Sequence, residues 1–190
     1  MSAGCVILAA GGSARLGQPK QLVRLAGETL LDRAVRVARE AGCSPVVVVL
    51  GSDAERISAG CALETVETVF NPDWADGMAG SIRVGIAALA ERVSTAVVMA
   101  CDQPAVDAAH LRRLIELCGE GTGAVASQYS GRNGVPACFH AGMFAELMGL
   151  AGDRGARGLL SGVRSVALAG GELDVDTPES LERMRSLFGG

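Results

Sequence analysis

A glycine-rich loop, residues 11–20, follows the first apolar run of the chain and carries two basic side chains, Arg15 and Lys20. The glycines of this loop are Gly11, Gly12 and Gly17. Glycine lets a backbone approach a ligand closely or take positive φ, and the N–H groups of such a loop can bind phosphate oxygens. An arginine and a lysine add positive charge for the same purpose. The loop is therefore predicted to bind a triphosphate, with an ordinary strand-to-helix turn as the alternative.

The spacing of the loop excludes two common nucleotide-binding patterns. In a Walker A loop the lysine directly follows the last glycine, whereas two residues separate Gly17 from Lys20 here. A dinucleotide fingerprint needs G-x-G-x-x-G, which residues 11–17 do not provide. An oxidoreductase that binds a nicotinamide cofactor is therefore the less favoured alternative, and binding of NAD(P) would revive it.

Asp102 directly follows the most apolar strand-like run, residues 95–101, so it should lie at the ligand-facing edge of a sheet. Mg²⁺ is commonly held by one or two carboxylates together with phosphate oxygens. Asp102 is therefore predicted to be a metal ligand. The alternative is that it caps the next helix, although Asp107 is better placed for that role.

A second acidic segment, Asp174–Ser180, opens the last helix of the chain. Asp176 or Thr177 can cap this helix, and Pro178 suits its first position. A purely structural role is sufficient to explain these residues by themselves.

Leu8–Lys20 resembles the loop L-A-(A/G)-G-x-S-x-R-(M/L)-G-x-x-K of the molybdenum cofactor nucleotidyltransferases at every fixed position. It is similar, more distantly, to the loop of sugar-nucleotide and isoprenoid-precursor cytidylyltransferases. Ala9-Ala10-Gly11 looks more like the cytidylyltransferase branch than the guanylyltransferase branch, which favours Ala-Gly-Gly. The resemblance implies that Arg15, Lys20 and Asp102 are catalytic. The nucleotide-binding residues that it implies in this loop are Leu8, Ala9, Ala10, Gly11, Gly12 and Ser13.

Two other segments resemble the same family and add nucleotide and metal contacts. Gly77–Arg83 is similar to the G-x-x-S segment that contacts the base, which implies that Gly80 and Ser81 lie at the base; a plain helix start is the alternative. In the family, the Asp of D-x-P and the Asp before Thr-Pro bind the metal, which implies Asp102 and Asp176 as ligands here. Asp174 would then support the site or be structural.

The acceptor segments of the family also have counterparts. Residues 131–136 and 152–157 resemble the family's G-x-P and G-D-x-G-A-R segments, although Val135 stands where the family often has histidine. The alternative for the arginines is an ordinary surface position. The acceptor-binding residues that the resemblance implies are Gly134, Pro136, Asp153, Arg154 and Arg157.

The resemblance implies a Mg²⁺-dependent nucleotidyltransferase that transfers CMP from CTP to the phosphate of molybdopterin and releases pyrophosphate. A phosphate monoester is mostly ionised at neutral pH, since its second pKa is about 6, so no general base is needed and His110 and His140 receive no role. Within the class, the alternatives are guanylyl transfer to the same cofactor and nucleotidyl transfer to a sugar or alditol phosphate. From another class, the alternative is a non-catalytic chaperone that loads cofactor into a partner enzyme. For the transferase, the partner that the resemblance implies is a molybdoenzyme that receives the product.

Stretches of strand-like and helix-like periodicity alternate along the chain. Val46–Leu50 is a continuous β-branched run of the kind that is buried on both faces of a parallel sheet, and Val135–Phe139 could pair antiparallel to a neighbour. The alternation predicts one α/β domain over residues 1–190, a three-layer α/β/α sandwich with a mostly parallel, Rossmann-like sheet. The resemblance narrows this to the nucleotide-diphospho-sugar transferase type.

The 190 residues are 49% apolar with a net charge of −4, and the basic residues are scattered, so neither a nucleic-acid nor a membrane partner is expected. The start of the chain shows no leader pattern, which favours the cytoplasm. The 6 cysteines have no metal-binding spacing and are expected to be reduced core residues.

Overall fold

The structure, a computed structural model, describes residues 2–152 and 155–189. In these ranges the strands are β1 (Ala3–Ala9), β2 (Arg24–Leu25), β3 (Glu28–Thr29), β4 (Val46–Leu50), β5 (Glu67–Phe70), β6 (Thr95–Ala100), β7 (Ala124–Tyr129), β8 (Arg132–His140) and β9 (Arg164–Ala167). The helices are α1 (Leu30–Glu40), α2 (Ala54–Gly60), α3 (Met78–Leu89), α4 (Ala108–Gly119), α5 (Phe144–Met148) and α6 (Pro178–Phe188). The predicted alternation of strands and helices is confirmed.

Seven of these strands form one sheet in the order β5-β4-β1-β6-β8-β7-β9. β5, β4, β1 and β6 run parallel, and β8 runs antiparallel to both β6 and β7, as expected for the segment around Phe139. β1 lies between β4 and β6: the chain passes from β1 to β4 on one side of β1, and β6 lies on its other side. A crevice opens at such a reversal of strand order, outside the carboxyl ends of the strands.

Helices cover both faces of the sheet, so the fold has the three layers that the sequence predicts. Alternate residues of β1 point to opposite faces: Cys5 and Ile7 pack on the side of α1 and α4, whereas Val6 and Leu8 pack on the side of α3. All of these side chains are at least nine-tenths buried. Burial of this apolar surface on both faces holds the central strands, and therefore their carboxyl ends, in fixed positions.

Two hairpins have turns of two residues. The turn between β7 and β8 is confined to Ser130 and Gly131, and β8 begins at Arg132. The small hairpin of β2 and β3 was not predicted; its turn is Ala26-Gly27. All four turn residues have positive φ, which is the geometry that a two-residue hairpin loop requires, but neither pair is the Asn-Gly or Asp-Gly that would identify it from sequence.

The cysteines are free and buried in the sheet and its flanking helices, which confirms their expected role as core residues. None of the helices in the described part of the chain has the length and apolar character needed to cross a lipid bilayer.

Candidate active site

The glycine-rich loop begins where β1 ends and folds back on Ser13. The carbonyl oxygen of Ser13 accepts hydrogen bonds from the backbone N–H groups of Leu16 and Gly17, and its Oγ accepts one from the backbone N–H of Lys20 at 3.1 Å. Ser13 and Gly17 both have positive φ. This compact turn fixes Lys20 at the far end of the loop, close to the carboxyl end of β6.

Lys20 lies between two carboxylates. Its Nζ is 2.5 Å from Oδ2 of Asp102 and 2.8 Å from Oδ1 of Asp176. The second oxygen of Asp176 accepts from Nη2 of Arg15 at 2.6 Å. Lys20 and Asp102 are largely buried, whereas the Arg15 side chain is 73% exposed. The structure therefore brings together four of the residues that the resemblance identified as catalytic or metal-binding.

The surroundings set the charge of these groups. Burial alone would lower the pKa of Lys20, but the charge of Asp102 and the hydrogen bonds to both carboxylates raise that pKa well above its usual range. Burial tends to raise the pKa of Asp176, yet the hydrogen bond and charge of Lys20 and the charge of Arg15 bring it below its usual value. Lys20 is thus cationic and Asp176 anionic at neutral pH.

The pKa of a third carboxylate, Asp174, is shifted in the direction opposite to that of Asp176. Burial and the negative charges of Asp176 and Asp102 raise its pKa. The three acids make this end of the cleft a place where an additional cation is favoured.

Helix capping does not occupy the two carboxylates beside Lys20. Oδ1 of Asp107 accepts from the N–H of His110 and caps α4, so Asp102 has no capping role, as the sequence predicts. Thr177 caps α6 in a reciprocal capping box with Ser180, and Asp176 precedes that cap.

A cleft of about 420 Å³ opens beside this group, and Lys20, Asp102 and Asp176 line one end of it. Gly134 and Arg157, two of the expected acceptor residues, also line it. Pro136 is not part of the lining; its carbonyl oxygen accepts a hydrogen bond from the Ser127 hydroxyl at 2.5 Å. Asp153 and Arg154, the other two expected acceptor residues, lie outside the described residues.

The expected nucleotide residues are arranged along the start of the loop and of α3. The side chains of Leu8, Ala9 and Ala10 are buried, so this stretch could offer a ligand only its backbone. Gly11 has open space around its α-carbon, whereas a Cβ on Gly12 would lie 3.2 Å from the Trp74 ring.

The predicted base-contacting pair lies at the start of α3. The hydroxyl of Ser81 is buried and accepts from Nδ2 of Asn71 at 3.0 Å. Gly80 packs against the same asparagine, which a Cβ at this position would approach to 3.2 Å. Asn71 therefore occupies the place beside both residues and holds the end of β5 against α3.

Three functional candidates were missed from the sequence. Gln21 and Gln103 are buried glutamines whose side-chain amides donate to backbone carbonyls around the site. Tyr129 lines the cleft and donates to the carbonyl oxygen of Val135 at 3.0 Å. Only their positions next to Lys20 and Asp102 could have drawn attention to the two glutamines, because backbone carbonyl partners have no sequence signature.

The donor set fits a hard divalent cation. Within residues 2–152 and 155–189, no three His, Cys, Asp or Glu side chains form a metal cluster by themselves. Asp102 and Asp176 nevertheless converge on one atom, Nζ of Lys20, and two carboxylates with phosphate oxygens are a common Mg²⁺ environment.

One protein family and several known proteins are similar to this chain. The MobA-like NTP transferase domain matches residues 5–169. Nicotine blue oxidoreductase of Paenarthrobacter nicotinovorans is 36% identical over 162 residues, 80% of this chain and 78% of that protein. A probable molybdenum cofactor guanylyltransferase of Opitutus terrae is 36% identical over 125 residues, 66% of this chain and 60% of that protein.

Among solved structures, Rv0371c of Mycobacterium tuberculosis superimposes with a TM-score of 0.85 at 37% identity, covering 97% of both chains. A second structure of that protein, described as a complex with manganese, gives a TM-score of 0.81 at 34% identity and covers 97% of this chain and 98% of that one.

Proposed function

The chain belongs to the MobA-like NTP transferase family, and on this premise we propose that it transfers CMP from CTP to the phosphate group of molybdopterin, with Mg²⁺, and releases pyrophosphate. The observation that carries the proposal is the position of Lys20, which joins the glycine-rich loop to Asp102 and Asp176 at one end of the cleft. A triphosphate on the loop would thereby lie next to the acceptor.

The basic residues of the loop supply the charge that the triphosphate needs. Arg15 and Lys20 are held in place by ion pairs with Asp176 and Asp102, and both would turn to phosphate oxygens when a nucleotide binds. A fixed cation beside the leaving pyrophosphate stabilises the charge that develops on it.

The cleft suits an anionic acceptor that approaches from the other side. Arg132 and Arg157 are among the residues that line it. An acceptor phosphate oxygen would attack the α-phosphorus, a new P–O–P bond would form, and the bond to the pyrophosphate would break. Because the acceptor phosphate is already ionised, the chain's task is to orient it and exclude competing water.

A divalent cation completes this arrangement. Asp102 and Asp176 would hold Mg²⁺, which when bound neutralises charge on the triphosphate. The relative from Mycobacterium tuberculosis, described in complex with manganese, supports a divalent metal for this chain as well.

The choice of CTP rests on the loop sequence. Ala10 occupies the place where the guanylyltransferase branch favours glycine. The relative from Opitutus terrae, named a probable guanylyltransferase, supports GTP as the alternative nucleotide.

Oxidation and reduction with a nicotinamide cofactor is the second candidate, and the relative named nicotine blue oxidoreductase favours it. The site geometry favours nucleotidyl transfer, since two carboxylates around a lysine suit a metal–triphosphate. A hydride transfer has no evident use for this arrangement.

Calorimetric titration with CTP, GTP, ATP, UTP and NADPH, each with and without Mg²⁺, tests the proposal. We expect Mg²⁺-dependent binding of CTP, followed by pyrophosphate release when molybdopterin is added. Preference for GTP would keep the reaction and change the product. Binding of NADPH and of no triphosphate would overturn the proposal.

A further inference from the structure

Gln103 follows Asp102 directly and is more than nine-tenths buried. Its Nε2 donates to the carbonyl oxygen of Gly171 at 3.0 Å and to that of Val135 at 3.1 Å, and it lies 3.5 Å from Oη of Tyr129. One side-chain amide therefore connects the end of β6 to two other segments that line the cleft.

The two carbonyl groups belong to different segments of the cleft lining. Gly134 and Val135 line the side of the cleft that is expected to hold the acceptor, and we call these two residues the acceptor wall. Gly171 opens the segment that leads to Asp174 and Asp176. Gln103 therefore joins the segment expected to hold the acceptor to the segment that carries the two carboxylates.

Tyr129 reinforces the same junction. Its hydroxyl donates to the carbonyl oxygen of Val135, which therefore accepts from both Tyr129 and Gln103. Its ring fits between two glycines: a Cβ on Gly171 would lie 2.5 Å from Cδ1 of the ring, and a Cβ on Gly134 would overlap the hydroxyl. These contacts leave the acceptor wall little freedom to move by itself.

A second glutamine does the corresponding work in the nucleotide half. Gln21 is fully buried, and its Nε2 donates to the carbonyl oxygens of Ala9 at 2.7 Å and Gly11 at 3.1 Å. Those groups lie at the end of β1 and the start of the glycine-rich loop. In each half of the site, a buried glutamine amide therefore holds nearby backbone carbonyl groups. Gln21 follows Lys20 in sequence, and Gln103 follows Asp102.

We propose that Gln103 is a positioning residue that fixes the acceptor wall relative to Asp102, while Gln21 fixes the nucleotide loop. The inference rests on the proposed function only in taking the cleft beside Gly134 to be the acceptor site. A glutamine suits this buried position because its uncharged N–H₂ group can donate to two carbonyls at once. Without it, the carbonyl oxygen of Gly171 loses this donor and that of Val135 keeps only Tyr129, so the two segments are no longer joined through one side chain.

The test compares the same substitution at both positions, Gln103→Met and Gln21→Met, since methionine keeps the length and removes the donors. Transfer is measured with acceptor and CTP varied in turn. Gln103→Met should raise the KM for molybdopterin about tenfold, because small misplacements of a reacting group are costly. Its affinity for CTP should stay within about threefold of wild type, a difference well below one decade of binding constant. Gln21→Met should show the reverse.

Gln103→Glu serves as a second variant that preserves shape and replaces the donors by an oxygen facing two carbonyl oxygens. It should shift the acceptor KM in the same direction as Gln103→Met. An unchanged acceptor KM in both variants, or an equal change in the constants for acceptor and CTP, would overturn the proposal.

Failure of the proposed function is recognised separately, as absence of transfer by the wild-type protein. The role of Gln103 is then judged by hydrogen exchange of backbone amides. Gln103→Met should speed exchange in residues 130–135 and 171–176 and leave residues 9–20 unchanged, and Gln21→Met should do the opposite. Equal exchange across the three segments in both variants would overturn it.

Discussion

Lys20 and Asp102 form the most buried ion pair among the described residues: Nζ lies 2.5 Å from Oδ2, and the two side chains are 19% and 10% exposed. The same ammonium group also contacts Asp176. The lysine therefore occupies the carboxylate oxygens that a divalent cation would bind. Metal binding and the lysine's ion pairs compete for the same two side chains.

This competition predicts that Lys20→Met binds Mn²⁺ more tightly than the wild-type protein in the absence of nucleotide. The affinity should rise by at least about tenfold, because unit charges a few ångströms apart interact by several kcal/mol at an effective dielectric of about 20. Calorimetric titration with Mn²⁺ alone measures the change. Arg24→Met is the control, since Arg24 is exposed and bonds to the carbonyl of Gly27. Equal affinity in Lys20→Met and wild type would contradict the competition.

Asp102→Asn should abolish most of the transferase activity and leave the fold intact. The amide keeps the shape but loses the charge, and loss of a preorganised charge lowers rates by about 10²- to 10³-fold. The matched control is Asp107→Ala, which removes the cap of α4. It should cost about 1 kcal/mol of stability and leave turnover unchanged. Turnover and thermal unfolding are measured on both variants. A fully active Asp102→Asn would show that Asp102 has no catalytic role.

The burial of His110 predicts that the stability of the folded protein falls on acidification. Burial lowers the pKa of His110, with Asp107 offsetting part of the effect, and Nε2 lies 2.7 Å from Oγ of Ser127. Because the folded-state pKa is below the unfolded value, the unfolded state binds more protons between the two values, so stability rises with pH across that window. The stability that the neutral His110 contributes is lost as the pH falls from about 6.5 toward the pKa of the folded state.

The variant His110→Gln removes this titration and keeps a hydrogen-bond donor for Ser127. Urea unfolding at about pH 7.5 and about pH 5.5, on either side of the usual histidine pKa, should show a larger loss for wild type than for the variant. Equal losses would mean that His110 does not contribute.

Gly85→Ala should destabilise the protein, although alanine is the better helix former. Gly85 lies within α3, and a Cβ there would overlap Val6 of β1 and lie 3.0 Å from Val49. Overpacking of this kind costs about 1–3 kcal/mol. Gly121→Ala, with no atom within 4 Å of the added carbon, should be close to neutral. Urea unfolding compares the two, and a stabilised Gly85→Ala would show that α3 can move away from the sheet.

The local patterns of the sequence were sufficient for much of the fold and for the parts of the site. The β-branched run Val46–Leu50 is the buried strand β4, and Thr29 caps α1. Strand periodicity and caps depend on neighbouring residues alone, so they can be recognised without tertiary information. The same holds for the position of Asp102 at the end of an apolar strand.

The sequence by itself determined the α/β alternation, the glycine-rich loop and the chemical types available to the site. Only the tertiary structure decided which of them meet: Asp102 and Asp176 lie 82 and 156 positions from Lys20 along the chain, yet all three converge. It also decided that Thr177 rather than Asp176 caps α6, and that Gln103 holds two distant carbonyl groups. Contacts of this range depend on the packed sheet, and every residue has a backbone carbonyl, so no pattern of side chains could have predicted them.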